Sequence, residues 1–132
     1  MNWTEVFAVF VVCHLVGDFL LQTDWQARFK LGGLGRDPVR RRALLSHTLS
    51  YTTAFLPALV WIGLETSAAW ALLIGFVVAI PHMVQDDGRL LDSYMATVKG
   101  LSQNSPGLRV AVDQAFHVVF LFGTALLAVV AT

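Results

Sequence analysis

The chain has 132 residues, of which 56% are hydrophobic and 14% charged, with a mean hydropathy of +0.65 and no net charge. Soluble domains hold about 45–50% apolar residues, so membrane protein is the default class, and one membrane domain is expected over residues 1–132. The single cysteine, Cys13, excludes an intrachain disulfide and any paired-cysteine metal site; set in an apolar run, it reads as a small buried residue.

A spanning helix needs about 20 mostly apolar residues, and four runs qualify, at about 3–22, 43–64, 67–86 and 108–131. The expected fold is therefore all-α, a four-helix transmembrane bundle. The first run has neither a basic leading segment nor a small-residue cleavage site, so it is expected to be a retained helix rather than a signal peptide. It ends in HLVGDFLLQTDW, where His14, Asp18 and Gln22 recur every four residues, and Trp3 and Trp25 suit the two ends of an aromatic belt. Residues 26–42 follow, with LGGLGRDP as a helix-breaking stretch and then the triplet RRR, expected in solvent or against anionic headgroups.

The second span carries His47 close to its start. Ser46, Ser50 and Tyr51 make that half polar, and Ser50 and Tyr51, one turn from His47, either contact substrate or bond helix carbonyls. A short turn at Glu65-Thr66 leads to the third span, which ends in IPHMVQDD. There Pro81 should loosen the helix ahead of His82 and Asp86. RLLDSYMATVKGL has the pattern of an interfacial amphipathic helix, and QNSPG that of a turn. The fourth span carries Asp113 and His117. Asp24, Asp87 and Asp92 fall near the interface, where solvated or capping roles are expected.

The zero net charge hides an asymmetry. Arg28, Lys30, Arg36, Arg40, Arg41 and Arg42 lie between the first and second spans, and Arg89, Lys99 and Arg109 lie between or beside the third and fourth. The positive-inside rule then puts both long loops in the cytoplasm and both termini outside.

With that orientation, the polar residues inside the spans sort by depth. His14 and Asp18, His82 and Asp86, and Asp113 and His117 are each four apart, so each pair shares a helix face. The inward-running first and third spans read His then Asp, whereas the outward-running fourth reads Asp then His. This inversion brings every pair to the same two layers, the carboxylates about 6 Å nearer the cytoplasm at 1.5 Å per residue. His47 is level with the carboxylate layer, and Gln22 extends the first face towards the interface. A carboxylate deep in a membrane helix is disfavoured by roughly 2.5–3.5 kcal/mol, while a polar contact between membrane helices returns only about 0.6 kcal/mol. Such a set calls for mutual neutralisation, and three uses meet the need: a metal site, a metal-free proton-handling cluster, or polar packing.

Imidazole and carboxylate ligands suit Zn²⁺, Fe²⁺ or Mn²⁺. The candidate ligands are His14, Asp18, His47, His82, Asp86, Asp113 and His117, enough for one site with outer carboxylates orienting the imidazoles, or for two adjacent metals. Asp18, Asp86 and Asp113 are the candidate general bases, and Gln22, Ser50 and Tyr51 the candidate outer or substrate contacts.

HLVGDFLLQTDWQARFK resembles the opening signature of DUF3307, a family of small bacterial integral membrane proteins, in His14, Asp18, Phe19, Leu21, Gln22, Thr23, Asp24, Trp25 and Lys30. A later lone histidine and a terminal Asp/His helix also fit, so the resemblance spans most of the chain. It implies a multi-pass protein of a bacterial inner membrane and supplies no chemistry. LLSHTLSY and IPHMVQDD are more loosely similar to small inner-membrane proteins described as metal-dependent hydrolases. Those carry Thr-His-Ser, whereas Ser46 and Thr48 flank His47 in the reverse order here.

The leading functional expectation is an intramembrane metal-dependent hydrolase acting on a lipid-linked or membrane substrate from the cytoplasmic leaflet. A divalent ion would lower the pKa of a water and polarise a phosphoryl or carbonyl oxygen. A metal or proton transporter is the second reading, opposed by outer halves without an ionisable residue; a non-enzymatic membrane scaffold is the third. The bilayer is the expected partner, and nucleic acid is not.

Overall fold

The computed structural model describes residues 1–100 and 106–131, and all its regular elements are helices. They are α1 (Trp3–Leu15, continued by a π-helical segment, Val16–Leu21), α2 (Asp24–Phe29), α3 (Pro38–Ala54), α4 (Leu56–Glu65), α5 (Ala68–Asp86), α6 (Arg89–Thr97) and α7 (Pro106–Ala128). By length and composition three segments can cross a membrane, Trp3–Leu21, Ala68–Asp86 and Pro106–Ala128, and α3 with α4, bent by 51°, makes a fourth if taken as one span. The outward surface is correspondingly apolar, with Leu64 83% and Leu72 66% exposed, as expected where the surroundings are lipid rather than water.

Local chemistry explains the boundaries. Asn2 caps α1 in a reciprocal capping box with Glu5. Asp37 caps α3, its Oδ1 accepting from the backbone N–H groups of Val39 (2.8 Å) and Arg40 (3.2 Å), with Pro38 in the first turn. The proline expected to break helix thus opens one, and the second helical run starts at 38 instead of 43, with Arg40, Arg41 and Arg42 on it, exposed. Two of these arginines fold back on the loop: Arg40 Nη1 donates to the Leu31 carbonyl and Arg41 Nη2 to that of Gly35.

The break in the second span is at Phe55, and it follows from polar residues and a proline acting together. Hydroxyls of Thr48, Ser50, Thr52 and Thr53 each donate to a backbone carbonyl three or four residues back, a pattern that bends helices. Pro57, in the first turn of α4, cannot supply the next backbone donor. By contrast α5 runs unbroken through Pro81, so the loosening expected there is not what divides a span. At its other end, Gly88 adopts φ 82°, a left-handed conformation open to glycine, and turns the chain into α6. The expected amphipathic helix is α6, with Leu91 and Met95 buried one turn apart. Of the expected QNSPG turn, Pro106 and Gly107 belong to the first turn of α7, and its remaining residues lie outside the described ones.

Helix α1 packs on α7, α5 on α3, α4 and α7, and the π-helical segment on α3. At one end of the assembly the Met1 amino group approaches Glu65 Oε2 (3.7 Å) and Trp70 Nε1 donates to the Ala128 carbonyl (3.0 Å). Between that end and the histidines lies a continuous apolar core including Val6, Phe10, Phe55, Ile62, Ile74 and Leu121, which excludes water from one side of the site.

Candidate metal centre

The polar pairs converge from three helices and the π-helical segment. Position 18 arrives there because Gly17 lets α1 approach α3: a Cβ at residue 17 would lie 2.6 Å from Tyr51 Cδ2. The segment's wider turn then carries Asp18 inward, buried. Such single π turns inside helices recur at functional sites. The same segment ends the helix at Leu21. Gln22 is extended (φ −65°, ψ 124°) and does not continue the His14/Asp18 face; its Oε1 accepts from Lys30 Nζ at 2.7 Å.

At the centre, Asp18, His47, His82 and Asp86 are all buried, and one ligand atom from each lies within 4.8 Å of the others. His47 Nε2 is 3.2 Å from Asp18 Oδ1, 2.8 Å from Asp86 Oδ2 and 3.2 Å from His82 Nε2. His82 Nε2 is 3.6 Å from Asp18 Oδ1 and 3.1 Å from Asp86 Oδ2. These are five of the six distances among the four atoms; they span 2.8–3.6 Å, and the sixth, between the two carboxylate oxygens, is within 4.8 Å. A tetrahedral ion with ligands at about 2.0–2.2 Å has ligand–ligand edges of roughly 3.3–3.6 Å. Despite their proximity, Asp18 Oδ1 and Asp86 Oδ2 have no partner in hydrogen-bonding geometry. Four ligand atoms within 4.8 Å of one another, two of them carboxylate oxygens without a hydrogen-bond partner, form a group that can hold a metal ion.

Around this group stand the other expected residues. His117 is buried, its Nδ1 2.9 Å from the Asp113 carbonyl, which only accepts; in the neutral ring this leaves Nε2 as a lone pair, 3.6 Å from Asp86 Oδ1 and without a hydrogen-bond partner. His14 lies outside the four-donor group. Its Nδ1 is 3.2 Å from the Tyr51 hydroxyl and 3.5 Å from Asp18 Oδ2, and its Nε2 is 3.0 Å from Gln114 Oε1. Tyr51 also stacks on His82, with ring centroids 3.4 Å apart and planes 5° from parallel, which fixes that imidazole's tilt. Ser50 donates to the His47 carbonyl, so of the two uses foreseen for it the structure has the carbonyl bond. Asp113 contributes its carbonyl to His117, and its half-buried side chain lines a cavity of about 100 Å³ with Lys30, Gln85, Asp86 and Arg109.

Four residues acquire roles the sequence did not signal. Lys30 reaches Asp86 Oδ1 at 2.9 Å, so the second carboxylate oxygen of a centre residue is held by a mostly buried ammonium. Gln114 closes the chain of contacts through His14. Gln26 is buried and donates to Ser46 Oγ, tying α2 to α3. Asp87, expected in a solvated or capping role, is buried instead. It accepts from the Leu34 backbone N–H (2.7 Å), and its own carbonyl accepts from Gly32, so it anchors the first loop beneath the site. Asp24 and Asp92 are exposed and pair with Arg28 and Arg109.

The family assignment follows from the whole chain. A family model described as protein of unknown function (DUF3307) matches residues 6–132. The chain belongs to the DUF3307 family. Searches of curated proteins and of solved structures return no match. In this DUF3307 protein the signature stretch contributes Asp18 to the four-donor group, His14 and Gln22 to its surroundings, and Lys30 to Asp86.

Proposed function

We propose that this chain is a four-helix transmembrane bundle of a bacterial inner membrane, with both termini outside, that works as a metal-dependent hydrolase. Its substrate is a lipid-linked or membrane molecule reached from the cytoplasmic leaflet. The observation that carries the reading is the close set of four ligand atoms, with the carboxylate oxygens Asp18 Oδ1 and Asp86 Oδ2 buried and without a hydrogen-bond partner. Zn²⁺, Fe²⁺ or Mn²⁺ suits such a donor set. A bound ion would supply a water of lowered pKa and polarise the scissile phosphoryl or carbonyl group.

The chain's own residues divide the remaining work. Asp18, His47, His82 and Asp86 would hold the ion. Asp113 is the carboxylate left free to take a proton, and His117 Nε2 faces the same side of Asp86. Lys30 orients Asp86 from outside, as outer partners of metal ligands do. The loops rich in arginine attract anionic headgroups. Transport is disfavoured because the core between the histidines and the Glu65 end is apolar among the described residues, and the buried Thr124 hydroxyl is committed to the Phe120 carbonyl.

Elemental analysis of the purified full-length protein, with Asp86→Asn alongside, tests the metal. Near-stoichiometric metal that is lost in the variant, together with chelator-sensitive release of phosphate or fatty acid from vesicle lipids, is expected. Absence of metal from the wild-type protein grown in metal-replete medium overturns the reading.

A further inference from the structure

A groove of about 770 Å³ runs on the surface between α5 and α7, lined by Val77, Leu90, Tyr94, Phe116, Phe120 and Gly123 among others. Gln85 borders this groove and also the 100 Å³ cavity that holds Lys30, Asp86, Arg109 and Asp113, so an apolar channel and a charged pocket meet at one side chain. We propose that these two depressions, adjoining at Gln85, together bind a single anionic, phosphoryl-bearing lipid, with its headgroup beside Lys30 and Arg109 and an acyl chain in the α5–α7 groove.

Length and charge both favour that occupant. The groove follows α7 from Ala115 to Leu127, a rise of about 18 Å at 1.5 Å per residue. That is close to the roughly 15 Å depth of one leaflet in a 30 Å hydrocarbon core. Its charged end is also the end where the basic loops gather: Arg89 is ion-paired with Asp87, and Arg109 with Asp92. Tyr94 marks the boundary, half-buried and edge-on to Phe116 at 5.0 Å, with an apolar ring and a polar hydroxyl suited to a headgroup level. The molecule also contains a contrasting groove. A second depression of about 690 Å³, between α4 and α5, is lined by Leu56, Leu59, Gly63, Leu72 and Gly75 among others; neither groove has a charged residue in its own lining, but this one shares no residue with the charged cavity. Ordinary bilayer chains fill both equally well, since lipid tails are as apolar as leucine; what distinguishes the α5–α7 groove is its polar end. This inference deepens the hydrolase reading and rests on it for one point, that a divalent ion held through Asp86 Oδ2 offsets that carboxylate, so that Lys30, still on Asp86 Oδ1, and Arg109 outweigh Asp113 in the pocket lining.

The test uses the full chain in phosphatidylcholine vesicles and two photoactivatable probes. One is a hydrolysis-resistant phosphonate of phosphatidic acid with a diazirine in its acyl chain; the other is diacylglycerol with the same chain. The phosphonate probe is expected to label α5 and α7 selectively and the diacylglycerol probe only weakly. Arg109→Gln should lower phosphonate labelling by about fivefold, the value of one basic residue near a membrane surface. Gly123→Trp, whose Cβ has open space around it, should lower it to the diacylglycerol level, with helicity and Tm of the variant measured alongside to show that the fold is kept. Leu72→Trp, in the contrasting groove, should leave labelling unchanged. Equal labelling by the two probes, labelling spread around all helices, or Leu72→Trp acting like Gly123→Trp overturns the proposal. Metal content and lipid hydrolysis measured on the same samples separate the two ideas: selective labelling of metal-loaded protein that releases no product keeps the lipid site and removes the hydrolase, while unselective labelling of metal-loaded, active protein removes the lipid site alone.

Discussion

The two halves of this molecule are built from the same helices and follow opposite rules. Towards Glu65, Val6, Phe10, Ile62, Ile74 and Leu121 interlock as an apolar core in which any well-packed side chain of similar volume serves. Towards Lys30, the same helices place Asp18, His47, His82, Asp86 and His117 in contact, where replacement of one atom changes the charge or hydrogen bonding of its neighbours. The apolar half supplies rigidity and keeps water out; the polar half is poorly satisfied as protein alone, and its orphaned atoms are the reason to assign it a ligand. Breaking each half should therefore read out in a different measurement.

The largest effect belongs to Asp86, which touches His47, His82, His117 and Lys30. Asp86→Ala should abolish metal retention and activity together. A four-ligand structural zinc site is worth about 10–16 kcal/mol, so one ligand accounts for roughly 3 kcal/mol, or at least a hundredfold in affinity. In metal-stripped protein the cost of carboxylate loss should be smaller at Asp18, which among the described residues pairs with His14, His47 and His82 and with no lysine or arginine: Asp18→Asn relieves repulsion from Asp86 while giving up the histidine contacts, and should lower Tm less than it does in metal-loaded protein. Thermal unfolding with and without chelator compares the two losses. A core substitution sharpens the contrast from the other side. Ile74→Ala should cost about 2–5 kcal/mol of stability while metal content per folded molecule stays at the wild-type level.

Lys30 comes next. Lys30→Gln removes the ammonium that holds Asp86 Oδ1 and Gln22 Oε1, and loss of such an outer partner lowers metal affinity by about 10–100-fold. Competition with a chromophoric chelator measures it, and a variant with wild-type affinity would remove Lys30 from the site.

This division also explains what could be read from the chain beforehand. Four apolar runs and the recurring four-residue spacing of His and Asp were visible because a lipid surroundings makes every ionisable residue costly and therefore conspicuous. His47, alone in its span, still fell level with the carboxylates because depth follows from residue count at a fixed rise. Lys30 was hidden: in a loop with five arginines its charge pointed to sidedness, and nothing in its neighbours signalled that the chain folds back 56 residues short of Asp86 to meet it. Gln114 and Asp87 were hidden for the related reason that a lone amide or interfacial carboxylate has no periodic partner. Helix continuity failed at local detail. Pro81 sits within an unbroken α5, whereas Phe55, preceded by hydroxyl side chains bonded to the backbone and followed by Pro57, marks the sharp bend. The π-helical segment was invisible as well, since it depends on how closely Gly17 and Tyr51 approach across two helices.

That approach supports the finest comparison, between two glycines that look alike in sequence. At residue 17 a Cβ would sit 2.6 Å from Tyr51 Cδ2 and 3.2 Å from Tyr51 Cα, and the backbone atom cannot yield as a side-chain tip does. Gly17→Ala should therefore cost about 1–3 kcal/mol as overpacking, and because Tyr51 stacks on His82 and touches His14, it should also weaken metal binding. At residue 123 nothing lies within 4 Å, so Gly123→Ala should gain up to about 0.8–1.0 kcal/mol of helix propensity with metal binding unchanged. Denaturation midpoints and metal titration of the two variants measure both effects, and equal behaviour would mean that the π-helical segment does not depend on the contact between Gly17 and Tyr51.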